Sequence, residues 1–146
     1  MGHVINTVLI NRPIEEVFNL ATTPKNWPRY HPNSLGVSGV TERPVRVGDV
    51  TRERANLGGR IGEGDWTVVE HEPLRRVVWT IDNPGFEGRL IYAFEAQAAT
   101  TRFTRDLEYQ TPFDSQPETA AQFEQYMHGE SEKAVQNLKR VMESKG

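Results

Sequence analysis

The chain has no cysteine. That excludes disulfides, a thiol nucleophile and thiolate metal ligands. It has no run of about 18 apolar residues, so no membrane-spanning helix and no integral membrane association are expected. Basic blocks are missing too: 17 Lys and Arg are interspersed with 20 Asp and Glu for a net charge of −3, and nucleic acid is not an expected partner. No His-x-x-x-His pair occurs, and His3 and His71 stand without companion ligands. No metal site and no other cofactor are therefore expected. The opening "MGHVINTVLINRP" lacks a basic region ahead of an apolar stretch, so it does not read as a signal peptide, and a cytoplasmic location is the expectation. "NLGGRIGEG" is rich in glycine but precedes no helix, so its glycines read as sites of sheet curvature rather than a phosphate loop.

What is present fits one domain spanning residues 1–146. Val4 to Asn11 is β-branched and reads as a strand. Asn11 and Pro13 form a helix start, and Ile14, Val17, Phe18 and Ala21 then make an apolar stripe at helical spacing. Thr23-Pro24 starts a second, short helix that Pro28 and Pro32 stop. From Ser34 to about Gln110, strand-like segments alternate with turns at Gly48-Asp49, Gly58-Gly59 and "DNPGFEG". Pro117 to Glu143 contains one glycine and no internal proline, and predicts a helix of roughly 40 Å. The expected class is α+β: a curved antiparallel sheet of six or seven strands gripping one long C-terminal helix, with two short helices after the first strand.

Period-two alternation places several aromatic residues on one sheet face. These are Trp66, Trp79, Tyr92, Phe94 and Phe103, with Tyr109. Arg105 shares the face of Phe103 and Leu107. On the long helix, Phe123, Met127, Ala134, Leu138 and Val141 form one stripe, with Tyr126 and Asn137 at its edge. Glu130 reads as the centre of that stripe, where Arg105 could pair with it, while Glu132 reads as outside. Glu63 and Asp65 share a strand face, as a solvated pair or as acid/base partners.

The blocks "VLINRPIEEVFNLATTPKNWPRYHP", "VVEHEPLRRVVWTI" and "ATTRFTRDLEY", followed by the terminal helix, resemble the START-related helix-grip superfamily. Within it the chain is similar to the polyketide cyclase/dehydrase-like branch, over nearly its whole length. The resemblance implies a cavity between sheet and helix, of about 300–1,000 Å³, that receives a hydrophobic, polyketide- or lipid-like small molecule. It casts Trp27, Tyr30, Trp66, Trp79, Tyr92, Phe94, Phe103, Phe123, Tyr126 and Met127 as ligand-binding residues. Of these, Trp27 is expected to anchor the second short helix and Tyr30 to lie nearer the ligand. Three function classes follow: a binding protein, a polyketide cyclase or dehydratase whose proton donor or base Glu130, Arg105 and Tyr92 could supply, and a protein-interaction module. "MHGES" departs from the amide- and hydroxyl-rich stretch expected of the cyclases, which favours binding. A monomer or homodimer is expected.

Overall fold

Strict alternation in "GHVINTVLI" produces the first strand, β1 (Gly2–Ile10), whose even-numbered residues are buried and odd-numbered residues exposed. The computed structural model describes residues 1–144. After β1 come α1 (Ile14–Thr22), a 3₁₀ turn (Pro24–Asn26) and α2 (Trp27–Tyr30). Six further strands follow: β2 (Ser34–Gly39), β3 (Val50–Leu57), β4 (Arg60–Glu72), β5 (Arg76–Asn83), β6 (Phe86–Gln97) and β7 (Thr100–Gln110). A 3₁₀ turn (Pro112–Ser115) leads into α3 (Pro117–Glu143).

All seven strands form one antiparallel sheet in the order β1-β7-β6-β5-β4-β3-β2. The register shifts between Ser34 and Gly36 and between Val68 and Glu70, where bulges bend the strands. Gly64 allows a close approach instead: a side chain there would run into Ile81 and Asn83, each 2.5 Å from its Cβ position. The helix-grip, α+β architecture expected from the sequence is the one observed.

One local expectation differs. Asn11 does not cap α1: Pro13 holds the cap position without a side-chain hydrogen bond, and the Asn11 N–H donates instead to Glu143 Oε2 at 2.9 Å. Glu132 is exposed, as expected, and accepts from Asn6 Nδ2 on its Oε2 at 2.8 Å.

Both contacts have one cause. β1 is an edge strand, and α3 runs beside it in the same sense. The His3 N–H donates to Glu124 Oε2 at 3.1 Å, Lys139 Nζ donates to the Leu9 carbonyl at 2.7 Å, and Asn11 closes on Glu143. From His3 to Asn11 the strand rises about 26 Å, and from Glu124 to Glu143 the helix rises about 29 Å. The two rises match, so side chains of the helix satisfy outward backbone groups at the two ends of a strand that would otherwise template pairing with another chain.

Replacing Glu124 and Glu143 together by Ala should accelerate hydrogen exchange at the His3 and Asn11 amides. Amides of the even-numbered residues, which alternation directs to β7, should keep their protection. Unchanged exchange at His3 and Asn11 would show that the helix does not guard this edge.

Candidate functional site

Four strands and two helical segments deliver polar side chains to one region of an otherwise aromatic interior. Arg105 reaches it from β7, by the same alternation that buries Phe103 and Leu107, and is only 6% exposed. Its Nη1 donates to Ser131 Oγ of α3 at 3.0 Å, and its Nη2 to His31 Nε2 at 2.9 Å. A guanidinium has only donors, so the imidazole must accept at Nε2 and carry its proton on Nδ1. Burial and the Arg105 charge both hold the His31 pKa well below the usual histidine value. His31 Nδ1 and Arg105 Nε are themselves buried and find no partner among the described residues.

A hydroxyl pair lies beside this cluster. Tyr30 donates to the Ala21 carbonyl at 2.9 Å, so Tyr92, 3.2 Å from the Tyr30 oxygen, donates to it in turn. Burial raises both phenols above their usual pKa, while the Arg105 charge pulls each the other way. Glu53 enters from β3, where Trp66 Nε1 donates to its Oε1 at 3.1 Å. Burial raises its carboxyl pKa, opposed by the neighbouring Ser34 hydroxyl, the Trp66 N–H and the Arg105 charge. Glu53 was missed in the sequence, although "VTRERANL" alternates it onto the face of buried Thr51.

The expected site residues divide into groups. Tyr30, Tyr92 and Trp66 belong to the polar cluster through the contacts above. Trp79 is fully buried and stacks edge-on against Tyr92 at 4.9 Å and Trp27 at 5.8 Å, while its Nε1 finds no partner among the described residues. Trp27 donates to the Ala21 carbonyl at 3.3 Å and packs α2 onto the sheet. Phe94 and Phe103 pack together at 5.2 Å, and Phe94 continues to Phe18 beneath α1 at 4.9 Å. Phe123, Tyr126 and Met127 lie on the first half of α3, where Phe123 meets Tyr109 at 5.6 Å and the Tyr126 oxygen accepts from the Gly58 N–H at 3.0 Å.

Glu130 does not meet Arg105. It is partly buried and pairs with Lys133 at 3.4 Å. The buried stripe of α3 runs through Met127, Ser131, Ala134, Val135, Leu138 and Met142, so Ser131 stands where Glu130 was expected, one residue or about 100° away. Glu63 and Asp65 lie on the exposed face, clamped by Arg52 at 3.2 and 3.0 Å. His3 has companions that the linear sequence concealed: His3, Asp106 and Glu108 hold three potential ligand atoms within 4.8 Å of one another at the surface.

Two open grooves of about 360 and 440 Å³ are present. Their linings include Asp82, Glu87 and Arg89 in one and Arg75, Arg76 and Arg102 in the other, and neither lining includes Arg105. Beneath α3 the middle of the inner face is occupied by contacting rings, with Tyr92 against Trp79 and Phe103, each at 4.9 Å. The roomy interior expected from the sequence is thus not what these grooves supply. No helix among the described residues is long and apolar enough to cross a membrane.

The family described as "Polyketide cyclase / dehydrase and lipid transport" matches residues 1–143. The chain belongs to this family. Solved structures agree on the fold of this family member. A START superfamily protein from Mycobacterium smegmatis superposes with a TM-score of 0.80 at 15% identity, covering 100% of each chain. A protein from Thermus thermophilus gives 0.77 at 20% identity over 99% of each. The di-domain ARO/CYC BexL from the BE-7585A biosynthetic pathway gives 0.74 at 23% identity, over 96% of this chain and 46% of that one. At these identities the likeness is one of fold. No curated protein matches the sequence.

The depressed His31 pKa has a measurable consequence. Between the folded value and about 6.5 the unfolded chain binds a proton that the folded chain refuses, so this histidine makes stability fall as pH drops below about 6.5. In His31→Gln that contribution should vanish. Denaturant melts from pH 7 to 5 should show a shallower decline, by up to about 1.4 kcal/mol per pH unit. Parallel curves for the two proteins would overturn the assignment of a neutral, buried imidazole.

Proposed function

We propose that this family member binds a hydrophobic or polycyclic small molecule between the sheet and α3, with a carbonyl or similar acceptor of the ligand on Arg105. The observation behind this is a buried guanidinium with an unpartnered Nε, set in an aromatic wall beside a second unpartnered donor, His31 Nδ1. Buried donors without acceptors cost about 1–3 kcal/mol each. An acceptor on an apolar ligand removes that cost, while the rings take up its carbon skeleton.

The mouth of this site lies between the β3–β4 turn and the first half of α3. There Leu57, Phe86, Phe123 and Tyr126 are only partly buried. Between Pro117 and Glu130 only Met127 of the helix is buried, whereas five residues from Ser131 onward are. Packing is therefore loosest where a ligand would enter, and the Tyr126–Gly58 hydrogen bond is the polar contact to be opened. The same reading has the chain act in the cytoplasm as a monomer or homodimer, without nucleic acid. Its net charge of −3 and lack of basic blocks support the last point.

A cyclase or dehydratase is the second reading. Arg105 could hold a developing enolate oxygen through its unpartnered Nε–H, and the Glu53 carboxyl, its pKa raised by burial, could move a proton. Release of water or ring closure from a polyketone chain, followed by mass spectrometry, separates this reading from simple binding.

Titration with 2-methylanthraquinone, read by quenching of Trp66 and Trp79, should saturate at one ligand per chain. Arg105→Met should weaken binding about tenfold or more, the loss expected for a hydrogen bond to a charged group. Arg102→Met, at an exposed position on the same strand, should bind like the unaltered protein. Absence of saturable quenching, or equal losses at the two positions, would overturn the proposal.

A further inference from the structure

We propose that the interior selects a neutral ligand carrying a hydroxyl donor as well as a carbonyl acceptor, the hydroxyl meeting Glu53 and the carbonyl meeting Arg105. This rests on the binding function proposed above and narrows its ligand.

Two opposite charges, Arg105 buried and Glu53 half-buried, face the interior without pairing. Arg105 spends two of its N–H groups on Ser131 and His31, and makes no ion pair with Glu53. Glu53 accepts from Trp66 Nε1 on Oε1 and has the Ser34 hydroxyl beside it as a second donor. A carboxylate accepts up to about four hydrogen bonds, so part of its acceptor capacity stays open. Hydrogen-bonding capacity is thus left open at both ends of one polar region: donors at Arg105 Nε and His31 Nδ1, and an acceptor at Glu53.

The charge balance decides what fits. A fatty carboxylate on Arg105 would face Glu53, and an amine on Glu53 would face Arg105; in either case the far charge repels the ligand. A neutral molecule with a carbonyl toward Arg105 and a hydroxyl toward Glu53 meets both groups without adding charge. Its hydroxyl adds a further donor to a carboxylate that Trp66 and Ser34 only partly satisfy. Glu53 is then a specificity-determining residue: a site that hydrogen-bonds a ligand hydroxyl rejects the analogue lacking it, because the buried acceptor is left unpaired.

The test is a matched pair of probes on the full chain: 2-hydroxymethylanthraquinone and 2-methylanthraquinone, with palmitate as the anionic comparison. The unaltered protein should bind the hydroxymethyl compound at least tenfold more tightly than the methyl compound, and palmitate more weakly than the hydroxymethyl compound. In Glu53→Gln the preference between the quinones should fall to about twofold or less, and palmitate should bind more tightly than before. Equal affinity for the two quinones in the unaltered protein overturns the inference while leaving the binding function intact. So does a preference that survives in the variant. Failure of both quinones to bind removes the binding function and this inference together. Because the quinone pair is compared first on the unaltered protein, the inference stays testable even if the variant does not fold.

Discussion

A guanidinium taken out of water must find acceptors, and the interior is organised around that demand at Arg105. Burying such a charge unpaired would cost several kcal/mol. Here the neighbours are Ser131 of the long helix, His31 from the turn after α2, and the Tyr92 hydroxyl on the next strand. One side chain on β7 therefore ties together the sheet, the second short helix and the gripping helix. It also imposes chemistry on its partners. The His31 imidazole is kept neutral, and the Tyr30–Tyr92 pair points its protons in one direction, toward the Ala21 carbonyl.

The second constraint is the free edge of β1. α3 could close the sheet through apolar contacts alone, but three of its charged side chains also meet the outward backbone groups of the strand. This fixes the direction and axial position of the helix, and with them the identity of the residue above Arg105. Rotation by one residue would put Glu130 in place of Ser131 and form an ion pair. The observed arrangement leaves the guanidinium with a neutral partner from the helix, so its charge is available inside. Membership of a family covering both polyketide chemistry and lipid transport leaves the ligand open. The unpaired Arg105 and Glu53 are features that distinguish those possibilities by charge.

Much of the architecture was legible because it depends on periodicity. The alternation in "GHVINTVLI", the turns at Gly58-Gly59 and Pro84-Gly85, and the proline-free stretch after Pro117 each specify local structure without reference to distant residues. The aromatic inner face followed from the same period of two. The polar site was only half legible. Arg105 could be placed on the inner face, but its partners lie 26 and 74 residues away in sequence, and no local pattern encodes such distances. Glu53 sits in a segment with charged residues on both sides, so its inward position was masked by composition even though alternation with Thr51 pointed to it.

The sequence by itself determined the order of elements and the face each strand buries, because these rest on local propensity and repeating hydrophobic spacing. Only the tertiary structure decided which face of α3 turns inward. A helical wheel fixes relative angles but not the absolute rotation, and a rotation of about 100° exchanges a carboxylate for a hydroxyl. That rotation was settled by side chains reaching the edge of β1. The protonation of His31 was likewise a tertiary decision, since it depends on which group the fold brings within hydrogen-bonding distance of its ring.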